Sequence, residues 1–242
     1  MKVLVFQHAD SEHPGVLRGF MDDDGLSWEV VHLDRGDSIP ALEPYDGMLV
    51  MGGPQDVWQH SEYPWLLDEC AAIRRFVLDL RRPFLGVCLG HQLLAEALGG
   101  RVEPGVAEVG VMDVEHTEAA RADPMFRKLE DPLPVLQWHG AEGTAVPPGG
   151  VVLAGSPDCA IQAFRFGDSA YGMQFHVEIT GETVVDWMQI PTYEESLERA
   201  LGADGAVRLD AEVRGNLARF ERAARTVYEC WIAQGCPSRR ST

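Results

Sequence analysis

The chain has 242 residues, enough for one large α/β domain or two small ones with a substantial core. Its formal charge of −18, from 20 Lys+Arg against 38 Asp+Glu, repels phosphate backbones and excludes general nucleic-acid binding, while 45% hydrophobic residues are ordinary for a globular protein. Cys70, Cys88, Cys159, Cys230 and Cys236 are scattered with no C-x-x-C pair, which argues against a disulfide framework or a zinc ribbon and points to a reducing cytoplasm.

The opening MKVLVFQHAD holds a short apolar run, Val3 to Phe6. It is too short for a signal peptide or a membrane span and reads as a first strand; no membrane partner is expected. His8, Asp10, Glu12 and His13 follow without a recognised ligand pattern, so a solvated polar loop and no metal are expected there. A helix is predicted from about Pro14 to Asp23, then strands over Trp28 to Val31 and Asp46 to Met51, the latter ending in Gly52-Gly53-Pro54. Tyr63 to Leu80 carries Leu66, Leu67, Cys70, Ile73, Phe76, Val77 and Leu80 at helical spacing.

Arg82 to Gly100, RPFLGVCLGHQLLAEALGG, reads as a strand, a sharp turn and a helix stopped by Gly99-Gly100. Cys88 sits on the turn within Gly86-Val87-Cys88-Leu89-Gly90. A nucleophile on a tight strand-to-helix turn is held above the sheet edge, and its neighbours two residues away must be small for the two arms to approach. The helix N-terminus favours a thiolate, and the Leu89 N–H points to where an oxyanion would form. Strands alternating with helices at this interval predict a mostly parallel sheet covered on both faces, with the working site at the strand C-termini. Gly52-Gly53-Pro54 and Cys88 would then border one crevice.

Beyond Gly100 the expected elements are short strands: Val106 to Val114, Val135 to Trp138, Val151 to Ala154, Ala160 to Phe166 and Ala170 to Phe175. They suggest a smaller antiparallel or mixed extension packed against the parallel sheet. From Gly181 the chain reads as helix, over Glu182 to Ile190, Tyr193 to Leu201 and about Ala211 to Gln234, with GCPSRRST as a frayed end. Thr183 to Ile190 and the face Leu217, Phe220, Ala224, Val227 and Trp231 are expected to pack back on the core, with a partner-binding face as the rival reading.

A cysteine nucleophile needs a base, usually His, with an orienting partner. Of eight histidines the best placed is His176, at the end of the Ala170 to Phe175 strand. Residues two apart on extended backbone share a face, so Glu178 can reach His176, raise its pKa and fix its tautomer.

Gly52-Gly53-Pro54, Gly-Val-Cys-Leu-Gly-His-Gln over 86–92 and Phe175-His176-Val177-Glu178, in this order and spacing, resemble the class I (triad) glutamine amidotransferases. The stand-alone GMP-synthetase-like branch is most similar, with Trp138-His139-Gly140 and Ile161-Gln162-Ala163-Phe164 resembling it too. The resemblance implies a flavodoxin-like α/β fold over 1–242 as a single amidotransferase domain, with a helical C-terminal extension at about 181–236. It implies Cys88 as nucleophile on the side-chain amide of glutamine, His176 as acid and base, and Glu178 as its orienter. Gly53 and Leu89 would form the oxyanion hole, and Gly52, Gln92, Trp138 and His139 would contact substrate. His91 is read as a structural hydrogen-bonder. Ala141 stands where the branch often has Asp, which bears on how a substrate α-amino group is recognised.

No Ser-Gly-Gly-x-Asp-Ser loop and no Walker A motif occur in the chain, so no cofactor is expected and ammonia activation would fall to a separate synthetase or acceptor subunit. Three activities stay open on the sequence. They are glutamine hydrolysis with ammonia delivery, free-standing hydrolysis of another γ-glutamyl amide, and a silent regulatory or binding module.

Overall fold

In the computed structural model, residues 1–235 are described; the expected frayed end lies, from Cys236 onward, outside the described residues. The elements in order are β1 (Lys2–Gln7), α1 (Leu17–Asp23), β2 (Ser27–His32), β3 (Gly47–Val50), α2 (Trp65–Arg74), β4 (Phe84–Val87) and α3 (Leu89–Ala97). They continue with β5 (Arg101–His116), β6 (Leu133–Ala145), β7 (Gly150–Gly155), β8 (Ala163–Phe166), β9 (Ala170–Met173), α4 (Thr183–Trp187), α5 (Pro191–Leu201) and α6 (Gly205–Gly235).

The nine strands of the described residues join one sheet in the order β2-β1-β3-β4-β9-β8-β7-β5-β6. From β2 to β9 the neighbours are parallel, and from β9 outward they are antiparallel. The extension is therefore hydrogen-bonded into the parallel sheet rather than packed against it. The cause is local: β8 and β9 form a hairpin over Gly167, whose φ of +58° suits the tight reversal, so the direction changes at an inner strand.

β1 shows why the sheet is covered on both faces. Val3 and Val5 pack with Leu17, Phe20 and Met21 of α1 and with Ala224, Val227 and Trp231 of α6. Leu4 and Phe6, on the alternate face, pack with Leu66 and Ile73 of α2 and Leu93 and Leu94 of α3. A strand buried on both sides reads as a continuous apolar run, as Val3 to Phe6 does.

Two helical expectations shift. The α-helical pattern of α2 ends at Arg74 and loosens into a π-turn over Arg75–Asp79. Leu67 is 54% exposed while Glu69 is wholly buried on the inward side. Of the α6 face, Ala224, Val227 and Trp231 are buried against the sheet, whereas Phe220 is buried and Leu217 half-buried in the cluster formed with α4 and α5. α4, α5 and the first half of α6 form a third cluster with Leu136 and Trp138 of β6, which carries α5 to the C-terminal edge of the sheet. Among the described residues no helix is long and apolar enough to cross a membrane.

Candidate active site

β4 runs straight into α3, and Cys88 between them has φ +50°, ψ −107°, a conformation that L-residues rarely adopt. Such backbone strain costs on the order of 1–3 kcal/mol and persists only where the surroundings fix it. The Cys88 N–H donates to the Met173 carbonyl at 2.8 Å, and the Gly90 N–H to the Met51 carbonyl at 3.1 Å. A Cβ on Gly86 would lie 2.4 Å from the Gly90 carbonyl oxygen, and one on Gly90 would lie 2.2 Å from that of Val50. Glycines two residues on either side are thus a steric demand of the turn. The Gln174 side-chain amide points at the Cys88 sulfur, with Nε2 3.6 Å from Sγ.

His176 lies beyond the end of β9, where its backbone bonds both ways with Leu136 of β6, at 2.9 and 3.0 Å. Its Nδ1 is 2.7 Å from Glu178 Oε1, and Glu178 Oε2 accepts the Val177 N–H at 3.0 Å. The ring edge packs on Trp187 with centroids 4.7 Å apart. Burial disfavours the charged ring, but the Glu178 carboxylate and the nearby Cys88 sulfur outweigh it and hold the His176 pKa well above the ordinary 6.5. The structure thus brings Cys88, His176 and Glu178 together on the strand C-termini.

An open cavity of about 420 Å³ has Cys88 in its wall. Of the residues singled out by sequence, Gly53, Leu89, Gln92, Trp138, His139 and Ala141 also line it. Gly52 does not: its carbonyl oxygen is 2.8 Å from His8 Nδ1, and a Cβ on it would meet the Glu12 carboxylate at 2.4 Å. α5 supplies Tyr193, Ser196 and Arg199 to the wall, and Ser196 Oγ accepts the Trp138 Nε1–H at 2.9 Å.

The class I glutamine amidotransferase family model matches residues 17–185. The chain belongs to this family. It is 35% identical over 172 residues to a glutamine-hydrolyzing GMP synthase subunit of Halobacterium salinarum, covering 68% of this chain and 84% of that one. It is 31% identical over 195 residues to the glutamine amidotransferase-like protein YfeJ of Salmonella typhimurium, covering 78% and 80%. Among solved structures, the glutamine amidotransferase of Methylobacillus flagellatus superposes with a TM-score of 0.86 at 31% identity, covering 96% of this chain and 94% of that one.

This amidotransferase departs from sequence expectation at its first loop. His8 and Glu12 are buried, not solvated. His8 Nε2 lies 3.0 Å from Glu69 Oε1, and its ring stacks on Trp65 at 5.5 Å. Glu12 Oε1 accepts the Tyr193 hydroxyl at 2.6 Å; burial raises the Glu12 pKa despite nearby His176 and that hydrogen bond. The expectation failed because the partners come from α2 and α5, far along the chain. Gln174, just before the Phe175–Glu178 motif, belongs to the site as well; the alternation that pairs His176 with Glu178 puts Gln174 on that face too.

His91 is wholly buried, its ring edge-on to Phe164 at 5.1 Å and its Nδ1 against Gly172; a hydrogen bond with the Gly172 backbone supports the charged ring, but burial outweighs it and pushes the pKa down to about 4. Gln92 donates to Gln174 Oε1 at 3.0 Å and to the Ala141 carbonyl at 3.3 Å. The described residues that could share a metal are Glu108, His139 and Cys159, whose ligating atoms lie within 4.8 Å of one another. Glu108 already accepts from Ser156 Oγ at 2.9 Å and Gln162 Nε2 at 2.7 Å, with His139 Nε2 3.0 Å away. Burial pushes the Cys159 thiol up to about 12, which keeps it protonated. The donor set fits a closed polar network better than a metal centre.

Proposed function

We propose that the chain hydrolyses the side-chain amide of glutamine through a γ-glutamyl thioester on Cys88. The observation that carries the reading is the strained Cys88 turn opposite a buried His176 whose Nδ1 is 2.7 Å from Glu178. Glu178 accepts a hydrogen bond from the His176 Nδ1–H, which leaves Nε2 for the sulfur. The Cys88 thiolate attacks the amide carbon, and negative charge moves to the amide oxygen. Gly53 and Leu89 both line the cavity, and their backbone N–H groups would be the donors for that oxyanion. His176 gives its proton to the departing nitrogen, the C–N bond breaks, and ammonia leaves behind a thioester. His176 then takes a proton from water, the hydroxyl adds to the thioester carbon, and the C–S bond breaks to release glutamate and restore the thiolate.

Ammonia would pass to a separate acceptor enzyme, as the likeness to the Halobacterium GMP synthase subunit suggests. One observation favours a second reading. The chain's own α5 lines the cavity through Thr192, Tyr193, Ser196 and Arg199, so this part of its wall needs no partner, which would suit free-standing hydrolysis of another γ-glutamyl amide. The test is ammonia and glutamate release by the purified chain, on glutamine and on a panel of γ-glutamyl amides, with Cys88→Ala as the blank. Release from glutamine that vanishes in the variant is expected. Turnover confined to another γ-glutamyl amide would replace the first reading with the second, and equal turnover by Cys88→Ala would refute both.

A further inference from the structure

His8 and Glu69 form a wholly buried pair that the hydrolysis scheme does not use. Both His8 nitrogens face acceptors: Nδ1 is 2.8 Å from the Gly52 carbonyl oxygen, and Nε2 is 3.0 and 3.2 Å from the two Glu69 oxygens. A neutral imidazole has one donor and would leave one of these contacts acceptor to acceptor, whereas an imidazolium satisfies both. A wholly buried carboxylate also demands a charged partner. Trp65 and Glu69, one helical turn apart on α2, hold the ring from its face and its edge. Glu12 adds a second negative charge nearby. Burial opposes the charge on His8, but Glu69 and the Gly52 carbonyl outweigh it and leave its pKa above the ordinary value.

The peptide that His8 grips is the one that would feed the oxyanion hole. In a trans peptide the carbonyl and the following N–H point in opposite directions. Fixing the Gly52 oxygen on His8 therefore aims the Gly53 N–H the other way, and that N–H donates to no acceptor among the described residues. Gly53 lines the Cys88 cavity, and a Cβ on it would lie 2.8 Å from the His8 Cβ and 2.9 Å from Leu89 Cδ2. With glycine at both 52 and 53, no side chain on either residue restricts the peptide plane. We infer that His8, as an imidazolium held between Glu69 and the Gly52 carbonyl, is a positioning residue that keeps the Gly53 N–H turned toward the cavity that holds Cys88. This inference rests on the amide-hydrolysis reading.

The test pairs hydrolysis with a reaction that needs no oxyanion. In His8→Gln the side-chain nitrogen takes the place of Nε2 and keeps a donor for Glu69, but the grip on Gly52 is lost. In His8→Asn the nitrogen takes the place of Nδ1 and keeps that grip without the charge. For His8→Gln, kcat on glutamine or on the γ-glutamyl amide that the wild type turns over is expected to fall about 10- to 100-fold with KM within about twofold, somewhat less than the loss of a whole oxyanion donor. His8→Asn should recover part of it. Alkylation of Cys88 by iodoacetamide, read by mass spectrometry, displaces iodide at a saturated carbon and should proceed at the wild-type rate in both variants. Nitrogen NMR of the wild type should show both His8 ring nitrogens protonated at neutral pH. A His8→Gln variant with wild-type kcat, parallel loss of alkylation and hydrolysis, or a neutral His8 ring would each overturn the proposal. A wild type that hydrolyses no amide would instead sink the hydrolysis reading, and the catalytic role of His8 with it.

Discussion

Two sites in this molecule bring together one cysteine, one histidine and one glutamate, and they are chemically unlike. At one, Cys88 stands on a strained strand-to-helix turn, and His176 sits against Glu178 with its pKa well above 6.5. At the other, Glu108 is taken up by Ser156 and Gln162, and burial holds Cys159 as a thiol with its pKa up to about 12. Residue types alone do not make a nucleophile. A helix N-terminus, a carboxylate free to charge the imidazole, and a backbone that pushes the sulfur out of the sheet are what separate the two.

Substitution of the two cysteines gives the widest contrast. Cys88→Ala should abolish turnover, whereas Cys159→Ala should leave kcat within about threefold, since it touches neither sulfur nor oxyanion chemistry. His176→Ala should be nearly as severe as loss of Cys88, about 1,000-fold or more in kcat, because nucleophile and base act as a unit. Glu178→Gln should be milder and should also move the pH profile. The Glu178 charge is what lifts His176, so the imidazolium that wild-type enzyme keeps well above pH 6.5 should be lost at lower pH in the variant, drawing the basic limb of kcat/KM downward. The same sign holds for stability. The contribution of charged His176 is complete below its unfolded value of 6.5 and is lost as pH rises through the higher folded value. Trp231→Ala, beside Gly47 at the N-terminal end of β3 and so at the other end of the strands from Cys88, should cost about 3–5 kcal/mol in denaturant unfolding while leaving kcat of the folded fraction unchanged.

The features legible in the sequence are those written in contiguous residues. Gly86-x-Cys88-x-Gly90 and His176-x-Glu178 each encode a local geometry, a tight turn in one case and a shared strand face in the other. The alternation of strands with helices likewise marks the parallel half of the sheet. The illegible features depend on distant partners. Glu69 reads as a solvent position on an amphipathic helix until His8, 61 residues earlier, is folded against it. Glu12 reads as a loop carboxylate until Tyr193 reaches it across 181 residues. Gly52 reads as a substrate contact because it adjoins Gly53, and only the peptide orientation reveals that it faces the other way.

The most direct test is to quench turnover in acid and locate the covalent intermediate by peptide mass spectrometry. A γ-glutamyl adduct on the Cys88 peptide, formed during turnover of glutamine or a γ-glutamyl amide, is the expected result. Turnover with no adduct on Cys88, or with the acyl group on Cys159, would contradict the account.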